Sequence, residues 1–195
     1  MSKLIINSGK VVVDMVYVML ADGFEEIEAI TAVDVLRRAG IDVYTVSISD
    51  SKTVTGSHKI PVIADILLPD ADLNSAEMIV LPGGMSGTNN LYNNSELEKS
   101  IAHRIENNKW IAAICAAPII LGKRGYLKGL EAICYPGFEE DLAGASIKNE
   151  KVVISKNIIT SKGPGTSLDF ALAIVSVLKD ENTAKKLRAG MQADC

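Results

Sequence analysis

The chain has 195 residues, of which 48% are hydrophobic and 23% are charged, a composition typical of one compact, water-soluble domain. Its formal net charge of -4, without a dense cluster of lysine and arginine, argues against binding to nucleic acid or to an anionic membrane. The three cysteines are an odd number without CxxC spacing, and with only two histidines they predict neither a disulfide scaffold nor a metal site.

The sequence also indicates where the protein works. Its apolar runs are far shorter than the ~18 residues of a membrane-spanning helix, and the first residues lack the basic-then-apolar order of a secretory signal. We therefore expect a cytoplasmic protein with small-molecule partners. Residues 1–14 are an added edge strand or an upstream extension, with Met15 as an alternative start, and residues 15–195 are expected to form one domain.

Short β-branched runs alternate with segments of helical periodicity along the chain. In chain order we predict a strand at 15–20, a helix at 23–40, a strand at 41–48, a small hairpin or edge excursion at 53–64, a strand at 78–84 that runs into a Pro-Gly-Gly turn, a polar-faced helix at 95–108, a strand at 110–115, a short helix at 117–125, strands at 151–155 and 157–161, and helices at 167–180 and 181–190. This alternation implies an α/β fold with a mostly parallel sheet and helices on both faces.

Three sequence features lie where predicted strands end. They are "ADGFEEIE" (21–28), "LPGG" (81–84) and "ICAAP" (114–118). Because ligands bind outside the carboxyl ends of the strands in an open α/β sheet, we expect these turns to meet at one site.

Cys115 is the candidate nucleophile. It ends an apolar strand and precedes a short helix, and its small neighbours permit the tight strand-to-helix turn of a nucleophile elbow. The N-terminus of the following helix favours a thiolate over a thiol. The alternative is that Cys115 is one more small, buried apolar side chain, and its spacing alone does not separate the two interpretations.

The other two turns supply candidate partners for this sulfur. Gly83 and Gly84 can leave their N–H groups uncovered and so form an oxyanion site, although by themselves they indicate only a tight turn. Glu25, Glu26 and Glu28 fall in the first turns of a helix, where carboxylates are favourable in any case. Glu28 lies within the apolar periodicity, and a buried carboxyl there would keep its proton and donate a hydrogen bond to a thiolate.

Together, "GFEEIEAI", "LPGG", "AAICAAP" and "TSKGPGTSLDFALAIV" resemble the four motif blocks of the ThiJ/PfpI superfamily, in the DJ-one branch (parkinsonism-associated protein deglycase). The blocks stand in family order over most of the chain. The resemblance implies a flavodoxin-like three-layer sandwich and a homodimer. It also implies Cys115 as the reactive nucleophile, Glu28 as its protonated partner, and the backbone of Gly83, Gly84 and Ala116 as the oxyanion pocket.

Two positions depart from the family pattern. The protease-like branch has a histidine directly after the cysteine, where this chain has Ala116, so a Cys-His protease is disfavoured. Many glyoxalase-active members have a histidine before a proline after the next strand, where this chain has Tyr135. Tyrosine is a poor base near neutral pH, so efficient turnover is not expected. We expect Tyr135 and Pro164 to lie near the site, although the loop "KGPGT" is better explained as a strand-to-helix turn capped by Thr166 or Ser167.

Two functions follow from these residues. In the first, the Cys115 thiolate adds to methylglyoxal or glyoxal, or to their early adducts with amines and thiols, and Glu28 relays a proton so that water releases a hydroxy acid. This would be a weak glyoxalase or deglycase, a hydrolase or lyase without a cofactor, and neither His58 nor His103 is expected to supply the missing base because both should face solvent. In the second, Cys115 is a redox sensor in a stress-response or chaperone-like protein and is oxidised without turnover. The same residues serve both functions, so the sequence leaves the choice open.

Overall fold

A computed structural model of the protein describes residues 15–193 in full and, before them, only the backbone of Ile6–Asn7 and Lys10–Val11. These two short segments pair with each other in antiparallel fashion. The prediction for residues 1–14 otherwise lies outside the described residues.

The secondary structure follows the predicted alternation. The strands are β1 (Ile6–Asn7), β2 (Lys10–Val11), β3 (Met15–Leu20), β4 (Asp42–Ser47), β5 (Thr53–Thr55), β6 (Pro61–Ile63), β7 (Ile66–Leu67), β8 (Met78–Leu81), β9 (Trp110–Ile114), β10 (Glu131–Ala132), β11 (Ser146–Ile147), β12 (Val152–Ser155) and β13 (Ile158–Ser161). The helices are α1 (Glu26–Arg38), α2 (Met85–Tyr92), α3 (Ser95–Glu106), α4 (Pro118–Gly122), α5 (Ser167–Leu178) and α6 (Glu181–Gly190). None of these helices, all within the described part of the chain, is long and apolar enough to cross a membrane.

Seven strands form the central sheet in the order β12-β13-β9-β8-β3-β4-β7. Every neighbouring pair is parallel except β12 and β13, which form an antiparallel hairpin at one edge. The predicted hairpin at 53–64 is the β5–β6 pair, which forms a separate two-stranded sheet. The predicted flavodoxin-like, mostly parallel architecture is confirmed.

The core consists of two layers, one on each face of the sheet. Successive side chains of a strand point to opposite faces. In β3, Val16 and Val18 therefore pack with side chains of α1 and α5, whereas Tyr17 and Met19 pack with side chains of α3. These buried clusters explain why the chain alternates apolar strands with amphipathic helices and why the fold has three layers.

The sheet brings three loops together at one edge. β8 lies between β3 and β9, and all three are parallel, with Val18 opposite Val80 and Leu81 opposite Ala113. Their carboxyl ends therefore lie side by side. The loops that follow them contain the three motifs on which the sequence predictions depend.

Candidate active site

Cys115 occupies a tight turn directly after β9. Its backbone has a φ of +62°, a left-handed conformation that is uncommon and strained for a residue other than glycine. The Cys115 N–H donates to the carbonyl of Ser161 at 3.0 Å, and its own carbonyl accepts from the N–H of Tyr135 at 2.8 Å. The N–H of Ala117 closes the turn on the carbonyl of Ile114 at 3.0 Å. These bonds hold the thiol at the carboxyl edge of the sheet, as in the elbow that the sequence predicts.

Glu28, the third residue of α1, projects into the same place and is 1% exposed. Its Oε2 accepts a hydrogen bond from the N–H of Gly83 at 2.7 Å. Its Oε1 is buried and accepts no conventional hydrogen bond from the described residues, and the side chains that act on its charge are Cys115, which favours the carboxylate, and Glu25, which disfavours it. Gly83 marks where the two groups converge, because a Cβ there would lie 2.5 Å from Cys115 Cβ and 2.7 Å from Glu28 Oε2.

The pKa values of Glu28 and Cys115 are both raised. Burial raises the pKa of Glu28 to about 7, against the opposing hydrogen bond from Gly83. Burial and the negative charge of Glu28 raise the pKa of Cys115 to about 12, although the N–H groups of Gly84 and Ala116 act in the opposite direction. The N–H of Ala116 acts in the direction predicted for the start of the following helix, but α4 has five residues and burial outweighs this effect. The pair as a whole holds one proton between pH values of about 7 and 12.

The backbone donors of the site differ in one respect from the prediction. Gly84 and Ala116 direct their N–H groups at the sulfur of Cys115. The N–H of Gly83 instead donates to Glu28, so it is not available to an oxyanion in this arrangement. Gly84 must be glycine for two reasons: its φ is +82°, and a Cβ there would lie 2.3 Å from the carbonyl oxygen of Gly23.

The loop "KGPGT" borders the site through its first glycine. A Cβ at Gly163 would lie 3.1 Å from Cδ2 of Tyr135 and 3.9 Å from Sγ of Cys115. The hydroxyl of Thr166 holds this loop by donating to the carbonyl of Gly163 at 2.9 Å. Pro164 is half-buried and begins a single 3-10 turn before α5. Tyr135 is 45% exposed, so its ring forms part of the rim.

A second cluster of polar side chains lies at the start of α1. Ligand atoms of Glu25, Glu26 and His58 fall within 4.8 Å of one another, the one such metal-compatible group among the described residues. His58 Nδ1 lies 2.9 Å from Glu26 Oε2 and 3.5 Å from Glu25 Oε2, and the hydroxyl of Ser57 donates to Glu25 at 3.1 Å. Burial opposes ionisation of Glu26, but hydrogen bonds from His58 and from backbone N–H groups lower its pKa to about 2. These groups satisfy one another and tie the β5–β6 hairpin to α1.

The other histidines and cysteines lie outside the Cys115 site. His58 is 69% exposed, as predicted. His103 lies on α3 and is half-buried, and its Nδ1 is enclosed without a hydrogen-bond partner among the described residues. The prediction that it faces solvent is therefore wrong. Cys134 is fully buried in the core after β10, and Cys195 lies outside the described residues.

Comparisons with known proteins agree with this architecture. The model of the DJ-1/PfpI family matches residues 14–177. Protein DJ-1 homolog B of Arabidopsis thaliana is 41% identical over 161 residues, which are 82% of this chain but 37% of that protein, so the chain spans little more than a third of the plant relative. Protein dj-1beta of Drosophila melanogaster is 35% identical over 176 residues, 89% of this chain and 94% of that protein. The solved structure of oxidized Toxoplasma gondii DJ-1 superposes with a TM-score of 0.87 at 35% identity and covers 91% of this chain and 97% of that chain.

Proposed function

The chain belongs to the DJ-1/PfpI family, and we propose from this premise that Cys115 and Glu28 act on reactive carbonyl compounds. Membership of the family supports a DJ-1-like, stress-related function for this chain. The observation that carries the proposal is the convergence of the Cys115 thiol and the buried Glu28 carboxyl at Gly83. A nucleophile at an elbow faces a buried carboxyl whose Oε1 is free to give and take a proton. Placing that proton on Glu28 leaves Cys115 as the thiolate, the form that attacks a carbonyl carbon.

The reaction begins with addition. The Cys115 thiolate forms a C–S bond with the aldehyde carbon of methylglyoxal, and the carbonyl electrons move to oxygen. The N–H groups of Gly84 and Ala116, which face the sulfur, stabilise this oxyanion. Glu28 supplies a proton to the oxygen and becomes a carboxylate.

Glu28 then moves a proton between carbon atoms. Its carboxylate takes the hydrogen from the carbon bound to sulfur, and the resulting enediol receives a proton at the neighbouring carbon to give a thioester of lactate. Water cleaves the C–S bond of this thioester, so methylglyoxal plus water becomes lactate and Cys115 is regenerated. An early adduct of methylglyoxal with an amine or thiol enters the same sequence when Cys115 displaces that amine or thiol.

Tyr135 limits the expected rate. The proposed chemistry has one acid and base, Glu28, because the residue that follows Cys134 is a tyrosine and not a histidine. A phenol is a poor proton acceptor near neutral pH. We therefore expect repeated but slow turnover.

The test measures lactate formed from methylglyoxal with the enzyme far below the substrate concentration. Many lactates per subunit are expected for the wild type and none for Cys115→Ala or Glu28→Gln. Cys134→Ala is the matched control, because this cysteine is buried outside the site and its loss should leave turnover in place. Turnover that survives in Cys115→Ala would refute the proposal.

A second function, redox sensing, is favoured by Oε1 of Glu28, the buried oxygen without a conventional hydrogen bond from the described residues. Oxidation of the thiolate by peroxide to a sulfinate would place negative oxygens beside protonated Glu28, which can donate a hydrogen bond to them. Mass spectrometry after peroxide treatment should then show two added oxygens on Cys115 of the wild type. In Glu28→Gln, Cys115 should be oxidised further, to the sulfonate with three added oxygens. Stoichiometric oxidation without lactate formation would select this function over the first.

We also propose that the protein is a homodimer. Four isoleucines are strongly exposed on two adjoining elements, Ile27 (56%) and Ile30 (43%) on α1 and Ile60 (55%) and Ile63 (76%) in the hairpin region. Exposed apolar side chains grouped in this way are typical of an interface between subunits. Light scattering should give twice the mass of the chain for the wild type and the mass of one chain for Ile63→Lys.

A further inference from the structure

We infer that Tyr135 is the specificity-determining wall of the Cys115 site and that the site selects uncharged carbonyl compounds with a flat, unsaturated or aromatic substituent. The inference rests on the proposed function in one respect, that Cys115 is the nucleophile. It goes beyond that function because it assigns a substrate class to a side chain that the proposed chemistry does not use.

The geometry places the ring and the sulfur at the same small space. The backbone N–H of Tyr135 donates to the carbonyl of Cys115 at 2.8 Å, which ties the chain after β10 to the elbow. The position that a side chain of Gly163 would take lies 3.1 Å from Cδ2 and 3.5 Å from Cε2 of the ring, and 3.9 Å from the sulfur. Ring and sulfur therefore both lie within 4 Å of this one point, and the absence of a side chain at Gly163 lets the ring approach the site this closely.

The ring is both held and accessible. Phe138 packs beside it at a centroid separation of 6.2 Å and an interplanar angle of 44°, so one part of the ring is supported from within the loop. The residue is still 45% exposed. An exposed aromatic surface beside a nucleophile favours ligands that can stack on it, and one such contact strengthens binding by a factor of about three to ten.

The charges around the site exclude anionic ligands. Among the described residues, the charged groups that act on Cys115 and Glu28 are the acids Glu28 and Glu25. The cations of the neighbouring loops are held away from the pair: Lys162 Nζ donates to Oδ1 of Asn149 at 2.7 Å, His58 Nδ1 lies 2.9 Å from a carboxylate oxygen of Glu26, and neither is among the groups that shift the pKa of Cys115 or Glu28. A carboxylate or phosphate on a ligand would meet the negative charge of the pair, whereas an uncharged carbonyl compound meets no such repulsion.

The experiment compares three alkylating probes on Cys115. Iodoacetamide is small and uncharged, iodoacetate has nearly the same shape with a negative charge, and 2-bromoacetophenone is uncharged and carries an aromatic ketone. Rates are measured by mass spectrometry of the Cys115 peptide and divided by the rates for glutathione, which removes the intrinsic reactivity of each probe. The rate ratios within one protein also remove the fraction of thiolate.

In the wild type we expect the normalised rate of 2-bromoacetophenone to exceed that of iodoacetamide, and iodoacetate to be at least tenfold slower than iodoacetamide. Tyr135→Ala should lose the aromatic preference and Tyr135→Phe should keep it, because the ring and not the hydroxyl is responsible. Tyr44→Ala is the matched control, since Tyr44 is 43% exposed on β4 and its removal should change nothing. Equal ratios in the wild type and Tyr135→Ala, or equal rates for iodoacetate and iodoacetamide, would overturn the inference.

Gly163→Ala gives an independent check. The backbone at Gly163 is extended, so alanine is not strained there, but its methyl group would lie only 3.1 Å from Cδ2 of Tyr135 and would push the ring away from its place beside the sulfur. The variant should slow 2-bromoacetophenone more than iodoacetamide, and an equal effect on both would contradict the assignment. Alkylation needs no turnover, so a protein that shows this selectivity but forms no lactate would refute the proposed function and leave the specificity of the site standing.

Discussion

Replacing Glu28 with glutamine should change how the stability of the protein depends on pH. Burial raises the pKa of this carboxyl from an ordinary value of 4.5 to about 7 in the folded state. Because Glu28 and Cys115 together hold two protons up to a pH of about 7 in the folded state, the stabilising contribution of the extra proton is complete below pH 4.5 and is lost as the pH rises through 7, whichever of the two groups releases it. At about 1.4 kcal/mol for each tenfold change in proton affinity, the wild type loses about 3 kcal/mol over this window.

Glutamine has the same shape, does not ionise, and can still accept the hydrogen bond from the N–H of Gly83. The stability of Glu28→Gln relative to the wild type should therefore increase by about 3 kcal/mol between pH 4 and pH 8, measured by urea unfolding of the reduced proteins. Glu96→Gln, which replaces an exposed glutamate of α3, serves as the control for the substitution itself. For Glu28→Gln, a difference that is constant with pH would refute the argument that burial keeps this acid protonated.

Two further substitutions test the packing that supports the site. Gly84→Ala should destabilise the protein by about 2 kcal/mol more than Gly129→Ala. Both glycines have left-handed backbones, but only at Gly84 would the new Cβ meet the carbonyl oxygen of Gly23, at 2.3 Å. Equal urea midpoints for the two variants would contradict this prediction. Arg104→Met should destabilise by about 3 kcal/mol or more, because this fully buried guanidinium donates to four backbone carbonyls that would lose their partner. Arg38→Met removes only an exposed ion pair, so thermal unfolding should show an effect below about 1 kcal/mol, and similar effects for the two arginines would count against the prediction.

The sequence predicts most of the fold because its strongest elements have clear periodicity. The strand at 15–20 has the bounds that the structure shows, and the helices at 95–108 and 167–180 agree within a few residues at their ends. The sequence does not predict α2, because "MSGTNNLY" is rich in residues of low helix propensity. This helix depends on tertiary contact, since Gly87 packs so closely on Phe24 that a Cβ would lie 2.7 Å from its backbone nitrogen. The edge strand β7 has two residues, too few to show a period.

The sequence predicts which loops meet at the site, but it does not predict the contacts between them. Strand ends and helical phase were enough to bring Cys115 and Glu28 together. The use of the Gly83 N–H by Glu28 depends on a distance between two loops that no local pattern encodes. The approach of Gly163 to the sulfur depends on the register of β13 beside β9, which aligns Ser161 with Ile114. Burial of the thiol, which reverses the expected direction of its pKa shift, is likewise a property of the assembled fold.

The proposed chemistry requires that the first proton lost by the pair comes from Cys115 and that Glu28 keeps the second, and thiolate absorbance at 240 nm distinguishes the two possibilities. Spectra of Cys115→Ser, subtracted at each pH, isolate the signal of this one sulfur. We expect one thiolate per wild-type subunit to appear as the pair loses its first proton near pH 7, and in Glu28→Gln the transition should move to higher pH because no carboxyl can take the proton. A wild-type sulfur that remains a thiol until pH values near 12 would show that the proton stays on Cys115, and would contradict the account.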